Sequence, residues 1–171
     1  MDLGYVYEPD YKLDQPTGFV PSYRKGARLS HAWIKILNVK LISTRLEPID
    51  TSYLGDALKP YVHRKWEYST LDLIPINSFV IFHSSSGSDF AKEVEGALNE
   101  QQIPVRRVQQ GVDFDFADSL EEIEAGRRWV SAYGLDKGGV LVVRPDQFIA
   151  AVLSPDTFVE GIVGEIGRMT M

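Results

Sequence analysis

Histidine is the side chain best suited to moving protons near neutral pH, and this chain holds three, His31, His63 and His83. No two of them have metal-ligand spacing and there is no HExxH, so no metal is expected. His31 lies in the run Arg28-Leu29-Ser30-His31-Ala32-Trp33, downstream of an arm that carries Tyr5 and Tyr7. A pocket walled by Tyr5, Tyr7 and Trp33, with His31, Asp72, Arg144 and Asp146 handling protons, has the chemistry for acid–base catalysis on an aromatic small molecule. Each group also has a plainer reading. His31 can serve as a structural hydrogen-bonding residue, and Arg144 and Asp146 can brace the turn around Pro145. Spacing alone does not bring these groups together. The absence of cysteine excludes disulfides, thiol redox chemistry, iron–sulfur ligation and cysteine–zinc sites. No GxGxxG and no GxxxxGK[ST] is present, so no nucleotide cofactor is expected to bind within these residues.

The elements that must position these side chains are organised around Gly138 to Leu153, GGVLVVRPDQFIAAVL. Two apolar runs separated by Arg144-Pro145-Asp146-Gln147 predict an antiparallel hairpin, with Pro145 presetting φ at the corner and Asp146 bonding backbone beyond it. Upstream, His31 to Leu37 alternates as a strand, and Val39 to Thr44 offers a second short one. Ser78 to His83 is apolar on both faces, as a central strand requires. It is followed by the loop Ser84-Ser85-Ser86-Gly87, with Ser86 or Ser88 as helix cap. Phe90, Val94, Ala97 and Leu98 then fall at helical spacing. Ile103 to Val108 predicts a less buried strand, interrupted by Arg106 and Arg107. Asp118 with Glu121 has capping-box spacing, opening a helix that buries Leu120, Ile123, Trp129, Val130 and Tyr133 and ends at Gly134. Ser154-Pro155 predicts the start of a last helix whose Gly161, Gly164 and Gly167 point to close backbone approach on one face.

The order strand, helix, strand, helix, strand, strand, helix predicts an α/β domain of thioredoxin-like type, a mixed central sheet flanked by helices. Residues 1–37 read as an aromatic, proline-rich arm and first strand, 38–68 as an inserted segment and 69–171 as the core, all within one structural domain. In this order the serine loop after the central strand takes the place of the paired cysteines of a thioredoxin. Serine cannot exchange disulfides, which needs a thiolate.

Four motifs in sequence carry a family resemblance. They are Gly4-Tyr5-Val6-Tyr7, Gly26 to Trp33 (GARLSHAW), Ser69 to Leu73 (STLDL) and Leu141 to Ala151 (LVVRPDQFIAA). With them the chain resembles the C-terminal thioredoxin-like domain of FAD-dependent aromatic hydroxylases, the phenol 2-monooxygenase type and its fungal polyketide-modifying relatives. Departures are specific: Ser30 replaces the family's proline before the histidine, Gln147 replaces the glycine after RPD, and Ala151-Val152 replaces a Trp-Arg ending. Residues 39–68 are extra, and within them Ile42-Ser43-Thr44-Arg45 faintly echoes Tyr68 to Leu71. In that family FAD and substrate are bound upstream, so the resemblance implies a domain standing free of the FAD domain, without hydroxylase chemistry of its own.

Composition narrows the partners. The 171 residues carry a net charge of −6 and a pI near 5.1, which argues against a nucleic-acid backbone as partner. No apolar run approaches the roughly 20 residues of a membrane span, and the acidic N-terminus lacks a secretory pattern. A cytoplasmic protein is expected. Two functions compete. One is a non-redox module forming a homodimer or docking on a flavoprotein monooxygenase. The other is a cofactor-independent cyclase, isomerase or dehydratase acting on an aromatic or polyketide intermediate of secondary metabolism. A deep cavity containing His31 and a carboxylate would favour the enzyme, and a flat apolar face on the last helix the module.

Overall fold

In a computed structural model the described residues are 23–38, 68–116 and 119–168. Tyr5, Tyr7, the expected strand Val39 to Thr44 and most of the extra segment lie outside them. The strands are β1 (Trp33–Ile36), β2 (Tyr68–Ser69), β3 (Phe79–His83), β4 (Val105–Gln109), β5 (Phe114–Phe116), β6 (Val140–Val143) and β7 (Ile149–Leu153). The α-helices are α1 (Ser88–Glu100), α2 (Leu120–Ala132) and α3 (Val159–Arg168).

The main sheet has the order β4-β3-β6-β7. β3 runs parallel to β4, joined through α1, and antiparallel to β6, which forms the hairpin with β7. This is the thioredoxin-like arrangement, a βαβ unit beside a ββα unit. β3 is central and buried at every position, as its doubly apolar pattern requires. Successive side chains of a strand point to opposite faces. Phe79 and Ile81 therefore pack with Ala91, Val94, Leu98, Val163 and Ile166 of α1 and α3. Val80 and Phe82 pack the other way, against Trp129 of α2 and Tyr133 at its C-terminal cap.

The second sheet, β2-β1-β5, is antiparallel throughout. Neither β2 nor β5 carries a strand pattern of its own. Phe114-Asp115-Phe116 is too short to show alternation, and pairing with Ile34 to Ile36 makes it a strand. Phe114 and Phe116 enter the core edge-on, with Phe114 centred 6.0 Å from Phe82 and Phe116 6.1 Å from Trp129. Gly126 on α2 faces that ring, and a Cβ there would overlap Phe116. Glycine inside a helix costs about 1 kcal/mol relative to alanine, and the seating of Phe116 offsets it.

Several boundaries differ from expectation. The capping box of α2 is Ser119 with Glu122, one residue along from Asp118 and Glu121, because Ser119 Oγ reaches the Glu122 amide at 3.2 Å. That shift turns Leu120 outward, 82% exposed. α1 has Gly87 as its cap residue and no side-chain cap, so neither Ser86 nor Ser88 fills that role. Ser84 and Ser86 point instead at the Leu135 carbonyl, at 2.6 and 3.4 Å. Ser154-Pro155 forms a turn closed by Thr157, whose Oγ1 accepts the Ser154 amide at 3.0 Å, and α3 starts only at Val159. Among the described residues a Cβ on Gly161 would meet nothing within 4 Å, whereas one on Gly167 would meet Gln101 Oε1.

Candidate functional site

Three of the four sequence motifs meet at one junction, with the segment Gly26 to Trp33 running between the other two. On one side it pairs with the hairpin. The Gly26 amide donates to the Ile149 carbonyl, the Ile149 amide to Ala27, and the Leu29 amide to Gln147. The hairpin's turn holds Gln147 at φ 71°, the left-handed region that glycine enters without steric cost. Arg28 Nη2 donates to Gln147 Oε1 at 2.9 Å, a bond that a glycine there could not accept. Arg144 and Asp146 form an ion pair at 2.6 Å, and Asp146 also accepts the Phe148 amide at 3.3 Å. Those contacts brace the turn.

On the other side the same segment is sewn to Ser69 to Leu73. Thr70, fully buried, receives the Ala32 amide on Oγ1 at 3.2 Å and donates that hydroxyl to the Ser30 carbonyl at 3.1 Å. Ser30 is the hub. Its carbonyl also accepts Trp129 Nε1–H at 3.0 Å. Its amide donates to the Tyr133 hydroxyl, which donates in turn to Ser30 Oγ, both at 3.2 Å. Burial pushes the Tyr133 phenol up, partly countered by these Ser30 bonds. A proline here would have neither the amide proton nor the hydroxyl that Tyr133 uses.

His31 sits at the exposed edge of this junction. Its Nδ1 lies 2.6 Å from Ser69 Oγ, and its ring stands edge-on to Trp33 with centroids 4.4 Å apart. Ser69 Oγ also accepts the Leu71 amide at 3.1 Å, while Asp72 accepts the Ser69 amide at 2.8 Å and completes a capping box. Partial burial lowers the His31 pKa, and the Asp72 charge works against that. In the tautomer that donates Nδ1–H to Ser69 Oγ, the Nε2 lone pair is the site that can take up a proton. The junction thus groups His31, Trp33 and Asp72 of the sequence-derived candidates. Arg144 and Asp146 pair with each other across Pro145, and Tyr5 and Tyr7 lie outside the described residues. Ser69, Thr70, Trp129 and Tyr133 escaped the sequence reading as site residues. The Ser-x-x-Asp spacing of Ser69 and Asp72 was the available signal for the first.

A cavity of about 410 Å³ lies elsewhere, between β5 and α2, and takes in none of His31, Trp33, Asp72, Arg144 or Asp146. Among the described residues no cluster of three or more His, Asp or Glu could hold a metal ion, and no helix is long and apolar enough to cross a membrane.

No family model matches this sequence. A 4-methyl-5-nitrocatechol 5-monooxygenase from Burkholderia sp is 38% identical over 82 residues, covering 48% of this chain and 14% of that protein. Among solved structures, the flavin-dependent monooxygenase PieE, in complex with FAD and substrate, superposes with a TM-score of 0.61 at 17% identity. That match covers 97% of this chain and 25% of PieE. The fold is that of one domain of a flavin-dependent monooxygenase. Aklavinone-11 hydroxylase, with FAD and aklavinone, repeats the likeness at TM-score 0.56 and 18% identity, over 98% of this chain and 25% of its own. This chain spans about a quarter of each of these solved chains and 14% of the Burkholderia protein.

Proposed function

We propose that this chain acts as a non-redox, thioredoxin-like module of the flavin-monooxygenase type, in self-association or in docking onto a flavoprotein monooxygenase. The observation that carries the reading is coverage: 97% of this chain matches only 25% of PieE. A domain of this kind works there beside a much larger body. Two features of the chain support it. The 410 Å³ cavity does not reach His31. Phe158, just ahead of α3, is 74% exposed, and a second surface docked there would cover it.

Sedimentation equilibrium of the chain, alone and mixed with an FAD-containing monooxygenase body lacking this domain, tests the reading. A dimer or a mixed complex weakened about tenfold by Phe158→Asp supports it. A monomer at all concentrations that also ignores the flavoprotein removes it.

A second reading rests on the 2.6 Å contact between His31 and Ser69, with Asp72 beside them. It is a cofactor-independent cyclase, isomerase or dehydratase acting on an aromatic or polyketide intermediate, with His31 as the base. Turnover of such intermediates without FAD or NADPH, lost in His31→Ala with the fold intact, would establish it. No turnover by the wild-type protein removes it.

A further inference from the structure

The cavity between β5 and α2 has a composition that the module reading does not use. Its apolar lining is Phe116, Ile123 and Val130, with Phe116 and Val130 buried. The missing side chain of Gly126 lets the Phe116 ring lie against the helix. One wall carries Lys35 and Asp115, cross-strand partners in the β1–β5 ladder. The polar lining also includes Gln110, Arg127 of α2 and Asp136 of the turn that follows it. Arg127 and Asp136 form no ion pair or side-chain hydrogen bond among the described residues. The volume of about 410 Å³ falls in the range of small-molecule sites, roughly 300–1,000 Å³.

An apolar floor with a cation and an anion both available on its walls selects a ligand with a matching triad: an apolar body, a carboxylate and an ammonium. A simple anion would share the cleft with the Asp136 carboxylate, and a simple cation with the Arg127 guanidinium. We infer that this cleft binds a free amino acid with a large apolar side chain, its carboxylate toward Arg127 and its ammonium toward Asp136. The inference is independent of the module reading, since neither α3 nor the His31 junction contributes to the cleft.

Titration of the full chain with L-phenylalanine, followed by backbone amide NMR shifts, is the test. Expected are saturable shifts confined to residues around Asp115, Arg127 and Asp136. Affinity should fall about tenfold or more in Arg127→Ala and in Asp136→Asn, both exposed positions, and for the single-charge probes 3-phenylpropanoate and 2-phenylethylamine. Absence of saturable shifts up to about 10 mM overturns the site. Unchanged affinity in both variants overturns the placement. Equal binding of either single-charge probe overturns the zwitterion.

Discussion

Ser30 shows how a single residue can hold several elements. Its amide, carbonyl and hydroxyl are all engaged inside the molecule, with Tyr133, Trp129 and Thr70. Removing one partner from a buried hydrogen bond leaves the other unsatisfied, at about 1–3 kcal/mol. Ser30→Ala and Tyr133→Phe are each expected to destabilise by about that amount in urea unfolding. The double variant should lose less than the sum, with a coupling of about 1 kcal/mol. Additive losses would show that the two side chains do not act as a pair. His83 makes a different residue-scale prediction. It is 1% exposed at the end of β3 and donates Nδ1–H to the Ser84 carbonyl at 2.9 Å. Burial lowers its pKa more than the Ser84 bond and the nearby Asp113 and Glu95 charges raise it, with Arg107 lowering it further. The unfolded chain, with histidine near pKa 6.5, then binds the proton first as pH falls. His83 therefore stabilises the fold fully above about pH 6.5, and that contribution is lost progressively as pH drops toward its lowered native value. Urea midpoints measured from pH 8 down to about 5 should fall more steeply for the wild type than for His83→Gln. Parallel curves would contradict the assignment.

At the scale of elements, α2 carries the clearest conflict between local preference and packing. Gly126→Ala improves helix propensity by about 1 kcal/mol, yet its Cβ would occupy the place of the Phe116 ring. Overpacking of this kind costs about 1–3 kcal/mol, so a net loss of stability is expected, read as a lower melting temperature. A gain would mean that β5 can shift away from the helix without cost. The hairpin makes the complementary point. Val140 to Leu153 reads directly from the sequence because its two apolar runs, Pro145 and Asp146 are all local signals. β5 does not, because three residues carry no period and only their β1 partner makes them a strand. The α3 boundary moved for a related reason: Ser154 and Pro155 resemble a helix start in isolation, and the Thr157 side chain closes them into a turn.

For the whole molecule, the two sheets differ in how much holds them. β3 and β6 are buried along their full length and paired on both edges, whereas β2 is two residues long and half-buried. Native-state hydrogen exchange should therefore find amides of β3 and β6 opening only with global unfolding, and the β1–β2 pair opening at lower free energy. Uniform protection across both sheets would show that the Ser30 junction fuses them into one cooperative unit. The division between sequence and tertiary structure follows the same line. The α/β class, the central strand, the hairpin and the lack of thiol chemistry are written in the chain itself, because apolar runs, turn residues and the absence of cysteine are local properties. Its motifs also placed His31 and Asp72 among the residues to watch. Folding in three dimensions sets His31 against Ser69 and Arg144 against Asp146, brings Ser30 to Tyr133 across 103 positions, and opens a charged cleft beside Gly126. Those are contacts between residues distant in sequence, and no local pattern encodes which of many polar side chains will be brought within hydrogen-bond reach.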